Sequence, residues 1–137
     1  MPIDTLKDHG RQYTLWAYQE VLFSDLPDGI ATEVLDLPAS AIIVGGFSDV
    51  TEAFNDSTSA VANIGIVGTA ALFETAQALA SVTNPAIEFA AGLFTDTGDG
   101  VSVIVTPTYG TDDNSLGKLR LGVAYIMFGR ANENQPY

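Results

Sequence analysis

Turn-forming residues divide this chain at short, regular intervals. Gly, Pro, Asn and Asp gather at residues 26–29 (LPDG), 55–59 (NDSTS) and 96–100 (DTGDG), and Pro38 closes a further segment. The segments between these points recur at a spacing of roughly 10–15 residues and are rich in apolar, aromatic and β-branched side chains. This pattern predicts seven or eight strands in an all-β, antiparallel β-sandwich, with a jelly roll as the specific architecture and at most one short helix.

Two candidate strands have distinctive sequences. Residues 13–23 (YTLWAYQEVLF) concentrate aromatic and aliphatic side chains directly before the LPDG turn. Residues 41–54 form one long strand, in which Gly45-Gly46 predicts a bulge or bend rather than a loop. The other candidates are residues 30–37, 60–67, 86–93 and 101–107, with 96–100 as a hairpin turn between the last two.

The last candidate strand, residues 117–129 (GKLRLGVAYIMFG), alternates most clearly. Period-two alternation places one set of side chains on the core face of a sheet and the other set on the opposite face. Lys118, Arg120, Gly122 and Ala124 share the second face. The predicted core face carries Leu119, Leu121, Val123, Tyr125 and Met127.

Residues 69–81 (TAALFETAQALAS) form the one segment with helical character. Ala, Leu, Glu and Gln dominate it, Leu72, Ala76 and Leu79 would share a helix face, and Thr69 is a candidate N-cap. The same composition is compatible with a loop that contains one helical turn.

The chain length of 137 residues fits one domain. Residues 1–12 are polar and predict an N-terminal arm, and residues 13–137 predict a single sandwich domain. The N-terminus lacks the apolar run of a secretory signal, and no stretch of about 18 apolar residues predicts a membrane-spanning helix. There is no cysteine, which excludes disulfides and thiolate metal sites.

Lysine and arginine are absent between Arg11 and Lys118. That interval holds all but three of the 17 carboxylates, and the net charge is −12 with a pI near 4.1. Nucleic acid and anionic lipid are bound through Lys and Arg, which replace the counterions that binding releases. The charge therefore argues against nucleic-acid and membrane partners.

No residue pattern indicates catalysis or cofactor binding. The carboxylates lie mostly in turns, and His9, the only histidine, lies in the predicted arm, so acid–base and nucleophilic relays lack a partner. Residues 96–100 and 112–114 resemble calcium loops only superficially, and turn chemistry is the favoured explanation of both, with incidental calcium binding as the alternative. The short glycine pairs lack the context of a phosphate-binding loop. We expect neither enzymatic activity nor a metal or cofactor site.

The aromatic cluster of the first strand indicates a contact surface. Both faces of this strand are rather apolar, so one face is expected to pack against the core and the other against a neighbouring subunit; packing of the whole cluster in the core is the alternative. The mean hydropathy of +0.22 also favours burial of apolar surface between subunits. We expect a homo-oligomer, dimer or trimer, with Tyr13, Trp16 and Tyr18 among the contact residues.

Several segments resemble a recurrent pattern in small proteins of tailed-phage head gene clusters. They are residues 36–47 (DLPASAIIVGGF) leading to 50–55 (VTEAFN), then 63–65 (NIG) and 117–125 (GKLRLGVAY), so the resemblance spans about residues 30–128. The chain resembles the tailed-phage capsid decoration (cement) protein family. Where the family pattern has an acidic residue after the glycine of the third segment, this chain has Ile66.

The resemblance implies a structural virion protein made in the bacterial host cytoplasm. Such a protein binds the outer surface of the capsid and stabilises the lattice of the major capsid protein. Lys7 and Arg11 are the candidate arm contacts to acidic lattice patches, and such complementarity acts mainly on register and association rate. Lys118 and Arg120 would either join that contact or pair with carboxylates within their own sheet.

Two other functions stay open from the sequence. A tail, neck or fibre-base component of a phage would use the same sandwich. A carbohydrate-binding jelly-roll module would use Tyr13, Trp16 and Tyr18 to stack on sugars.

Overall fold

The computed structural model describes residues 13–127, which form two four-stranded antiparallel sheets. The sandwich predicted from the turn spacing is confirmed. The first sheet has the strand order β1-β8-β3-β6 and the second β2-β7-β4-β5. The strands are β1 (Leu15–Leu22), β2 (Thr32–Leu37), β3 (Ala41–Glu52), β4 (Ala60–Ile66), β5 (Thr69–Ala78), β6 (Ile87–Glu88), β7 (Val101–Tyr109) and β8 (Lys118–Met127).

The strand pairing is nested from the two ends of this region inward. β1 pairs with β8, β2 with β7, β3 with β6 and β4 with β5, so the chain behaves as one long hairpin wrapped into two sheets. The remaining pairs, β8 with β3 and β7 with β4, close each sheet. Eight strands wound in this way are a jelly roll.

The core lies between the two sheets. The inward faces of β3, β4, β7 and β8 supply most of its buried aliphatic side chains, and Phe73 of β5 stacks on Phe89 with ring centroids 4.4 Å apart. One polar pair crosses the core, where Ser48 of β3 donates a hydrogen bond to the Gln77 side chain of β5. Such a pair favours a single alignment of the two sheets, because a shift would leave the Ser48 hydroxyl and the Gln77 side-chain oxygen unpaired.

The sequence patterns predicted β1, β3 and β8 well. In β8, Leu119, Leu121 and Val123 are fully buried, as the alternation predicted. The Gly45-Gly46 pair does mark an irregularity, since the β3–β8 register shifts between Ile43 and Gly45. Bulges of this kind let a long strand bend around the core.

The helix predicted over residues 69–81 is wrong: residues Thr69–Ala78 form β5, and Thr69 begins a strand instead of capping a helix. A two-residue turn, Val67-Gly68, links β4 to β5 as a hairpin. Gly65 allows this hairpin to close tightly, because a Cβ there would lie 2.2 Å from the carbonyl oxygen of Thr69. Pairing with β4 and burial of Phe73 override the local helix preference.

The hairpin predicted at residues 96–100 is also wrong. The segment does form a turn, in which the Asp96 side chain accepts a hydrogen bond from the Gly98 amide at 2.7 Å. The strands on either side of it, however, belong to different sheets, because β6 pairs with β3 and β7 pairs with β2 and β4. Turn residues alone do not distinguish a hairpin from a crossing between sheets.

The predicted arm, residues 1–12, lies outside the described residues, as do residues 128–137. Within residues 13–127 the only helical element is a three-residue 3₁₀ turn, Phe23–Asp25. No helix in that part of the chain has the length and apolar character to cross a membrane.

Candidate functional site

The outer face of the first sheet carries an exposed aromatic surface. Trp16 and Tyr18 of β1 project from this face and are 57% and 62% exposed. Leu15, Ala17 and Val21 face the opposite way, and Val21 is buried in the core. The prediction that one face of β1 packs inward is therefore confirmed, and the alternative that the whole cluster is core is wrong.

Three aromatic rings on this face meet above β8. Trp16, Tyr18 and the half-buried Phe47 of β3 line a shallow depression of about 370 Å³, with the Trp16 and Phe47 ring centroids 6.0 Å apart. We call this depression the aromatic notch. The residues of β8 in register below it are small, since Ala124 pairs with Trp16, and Gly122 pairs with both Tyr18 and Phe47.

Gly122 is required at the base of the notch. A Cβ built there would lie 2.4 Å from the Phe47 ring, so only glycine lets that ring lie flat over β8. Sequence reasoning identified Trp16 and Tyr18 but missed Phe47 and Gly122, which lie 31 and 106 positions from Trp16 along the chain. The outward position of Phe47 in β3 depends on the register shift at Gly45. The Gly45-Gly46 pair predicted where the strand is irregular, but not which way the side chains after it point.

The other predicted contact residues are only partly placed. Tyr13 is 66% exposed and lies two residues before the start of β1. Lys7 and Arg11 lie outside the described residues, so their role as arm contacts stays a prediction. β1 is an edge strand whose only strand partner in residues 13–127 is β8. Within the part of the chain that the structure describes, the aromatic notch therefore lies beside an unpaired sheet edge, which is a place where other chains can approach.

Arg120 on the same face is paired within its own sheet. Arg120 donates a hydrogen bond to Asp49 on the neighbouring strand at 2.8 Å, and this bond raises the pKa of the arginine above its ordinary value. Of the two alternatives for Arg120, pairing within its own sheet is the one observed. Lys118 and Arg120 are the only basic residues between residues 13 and 127.

The acidic turns singled out in the sequence tie loops together. Asp56 accepts hydrogen bonds from five backbone amides, two in its own turn and three in the loop that precedes β8. Desolvation alone would raise the pKa of Asp56, but these amide donors outweigh it and hold the pKa far below its ordinary value. Asp113 of the second loop in turn accepts a hydrogen bond from the Ser57 amide of the first loop at 2.8 Å.

Replacing Asp56 with asparagine should lower stability at pH 7 and reduce the loss of stability in acid. The folded pKa of Asp56 is depressed, so its contribution is complete above the unfolded value near 3.9 and fades as pH falls below it. Urea unfolding of both proteins at pH 7 and at pH 3 measures this effect. Asp96→Asn is the control, because Asp96 accepts one amide in place of five. Parallel acid dependence in wild type and Asp56→Asn would contradict the assignment.

No group of three or more acidic or histidine side chains in residues 13–127 is arranged to hold a metal ion. A surface depression of about 610 Å³ lies where residues 36–39 meet residues 99–102, and it includes Asp36 and Asp99 but no basic side chain.

The fold is shared with two solved phage capsid structures. A chain of the cyanophage Pam1 capsid asymmetric unit matches with a TM-score of 0.71 and 20% identity, over 93% of this chain and 94% of that chain. A chain of the acidic stable capsid structure of Helicobacter pylori bacteriophage KHP30 matches with a TM-score of 0.61 and 16% identity, over 85% and 93% of the two chains. No model of a known protein family matches the sequence, and no curated protein matches it. The shared fold thus extends over nearly the full length of both capsid-structure chains.

Proposed function

We propose that this chain is a structural protein of a bacteriophage virion that binds the outer surface of the capsid and stabilises the lattice of the major capsid protein. The observation that carries the proposal is the two-way match to chains of two phage capsid structures. Because the match covers 94% and 93% of those chains, it concerns whole subunits and not a common subdomain.

The surface of the protein is consistent with this role. An exposed aromatic face at an open sheet edge provides apolar contact area, and such area on a protein this acidic is typical of a contact site. We propose that the protein acts through its contact surfaces and has no enzymatic activity.

Stabilisation of the shell would follow from mass action. A protein that binds the assembled lattice, and not the separated subunits, lowers the free energy of the assembled state by an amount per site that increases with the logarithm of its free concentration above Kd. The basic residues Lys7 and Arg11 of the arm would meet acidic patches on the lattice while the strongly acidic body faces outward.

The protein should co-sediment with capsids that lack it. Increasing amounts of protein should saturate the capsids at a copy number that scales with the number of lattice subunits, and saturated capsids should disassemble at a higher temperature. Lys7→Ala/Arg11→Ala should weaken binding mainly at low salt, whereas the matched control Lys118→Ala should bind like wild type.

The number of bound copies per particle distinguishes capsid binding from the alternative functions. Saturation at a small fixed number per particle would favour a tail, neck or fibre-base position. Failure to bind at both low and moderate salt would overturn a capsid role. Glycan binding that is lost in Trp16→Ala would instead favour a carbohydrate-binding module, because Trp16 and Tyr18 lie beside the polar side chains of Glu20 and Arg120 on one sheet face.

A further inference from the structure

The aromatic notch is a shallow apolar depression that no side chain of the described residues fills. Its walls are Trp16, Tyr18 and Phe47, and the small residues Gly122 and Ala124 lie beneath. Trp16 and Tyr18 remain more than half exposed, so most of their apolar area still contacts water. A depression lined by aromatic rings is suited to a large apolar side chain from another surface.

Phe94, elsewhere on the molecule, is a strongly exposed apolar side chain, and we call it the knob. It is 74% exposed, the highest value for a large apolar side chain among the described residues. Its φ is +66°, a backbone conformation that non-glycine residues rarely adopt and that is often retained at functional positions.

The knob is held by an anchored backbone. The Phe94 amide donates to the Ile43 carbonyl at 2.6 Å, and the Ile43 amide donates to the Thr95 carbonyl at 3.0 Å. The Thr95 hydroxyl also donates to the Gly92 carbonyl at 2.6 Å. These bonds fix the loop to the edge of β3, so little freedom remains to be lost when Phe94 is buried.

The knob and the notch lie at opposite edges of the first sheet. The segment that carries Phe94 runs along the side of β3 that faces away from β8, where Asp96 also bridges to Ile42. The notch lies over β8 beside the other edge strand, β1. Two strand spacings, about 10 Å, separate Phe94 from β8 within one molecule. Phe94 is not among the residues that line its own notch.

The charge distribution favours a second copy of this chain as the molecule that supplies Phe94 to the notch. The loop that presents Phe94 is acidic, with Asp96 and Asp99. The face that contains the notch holds both basic side chains of residues 13–127, Lys118 and Arg120, together with the carboxylates Glu20 and Asp49, so these four charges balance. For a protein with a net charge of −12, this face is where the acidic loop of another copy meets the least repulsion.

We propose that Phe94 of one copy inserts into the aromatic notch of a second copy. The knob and the notch are different surfaces, so two copies joined by one contact still have one free knob and one free notch. The assembly closes when these also pair, either within a reciprocal dimer or around a ring. The contact joins copies of this chain in the absence of a capsid, so this inference and the capsid proposal fail independently.

Sedimentation velocity and tryptophan emission test the contact directly. Trp16 is the only tryptophan, so its emission reports whether the notch is covered. Wild type should form a closed oligomer with short-wavelength emission. Phe94→Ala should weaken self-association about 30-fold and shift the emission to longer wavelength. Val82→Ala removes an apolar side chain of comparable exposure, 58%, and should behave like wild type.

Mixing two defective variants gives a sharper test. Phe94→Ala retains the notch, and Trp16→Ala/Tyr18→Ala retains the knob and contains no tryptophan. Each should be monomeric alone, yet titrating the second into the first should form a one-to-one pair and shift the Trp16 emission of the first to shorter wavelength. The triple variant Trp16→Ala/Tyr18→Ala/Phe94→Ala should cause no shift.

The fold of each variant is checked by circular dichroism, and the truncated side chains are all exposed in the monomer. A wild-type monomer at all concentrations would overturn the inference. So would a wild-type oligomer that Phe94→Ala leaves intact, or a mixture that produces no pair.

Discussion

Replacing Phe73 with alanine should lower the free energy of unfolding by about 3–5 kcal/mol. Phe73 is 1% exposed and stacks on Phe89, which packs from the other sheet, so the ring joins the two halves of the sandwich. Truncation removes the transfer energy of the ring and leaves a cavity that two hydrogen-bonded sheets cannot easily close. Total stabilities of 5–15 kcal/mol are usual, so the variant should be only marginally folded.

Urea unfolding followed by far-ultraviolet circular dichroism measures the loss, at protein concentrations low enough to keep the chain monomeric. Phe47→Ala is the matched control, because it removes the same side chain from the outer face of a strand, where Phe47 is only half buried. It should cost far less stability while disturbing the aromatic notch. Equal losses in the two variants would contradict the assignment of Phe73 to the centre of the core.

Replacing Gly46 with alanine should cost about 3 kcal/mol, the upper end of the range for overpacking. A Cβ at Gly46 would lie 2.2 Å from the Phe89 ring and 2.8 Å from the Gly122 carbonyl oxygen. The ring can move only by disturbing its stack on Phe73, and the carbonyl belongs to the central strand β8. Neither neighbour can shift without loss of other contacts.

Gly45 provides a control at the adjacent position. A Cβ there would meet only the Ala124 methyl group at 3.8 Å, an ordinary van der Waals contact. Gly45→Ala should therefore change stability by less than about 1 kcal/mol, since the loss of chain freedom in the unfolded state favours alanine. Thermal and urea unfolding of the two variants should differ clearly. Similar stabilities would show that the packing of Phe89 against β3 is looser than described.

The parts of the fold that sequence predicts are those with strong local patterns. Strand β8 was predicted with its core face because its alternation is nearly unbroken, and the ends of β1 and β4 follow from clear turns. Strand β5 was missed because its pairing is irregular: the β4–β5 register shifts twice, and Ala76 adopts a positive φ. Those irregularities destroy the period of two that a strand needs in order to be recognised.

The sequence predicted only those residues of the aromatic notch that lie close together along the chain. Trp16 and Tyr18 are two residues apart on one strand, so their shared face follows from the sequence. Phe47 and Gly122 join them only through the order β1-β8-β3, which no local pattern encodes. The exposure of Phe94 was equally hidden, because residues 86–93 were expected to form a strand and only Ile87–Glu88 do so.

The nested pairing brings the start of β1 next to the end of β8, since Leu15 and Tyr125 face each other across the sheet. Residues 13 and 127 therefore lie at the same end of the first sheet. A partner fused directly to residue 13 or to residue 127 would be displayed from that end, and the opposite end of the molecule, where the Asp56 turn lies, would stay unobstructed.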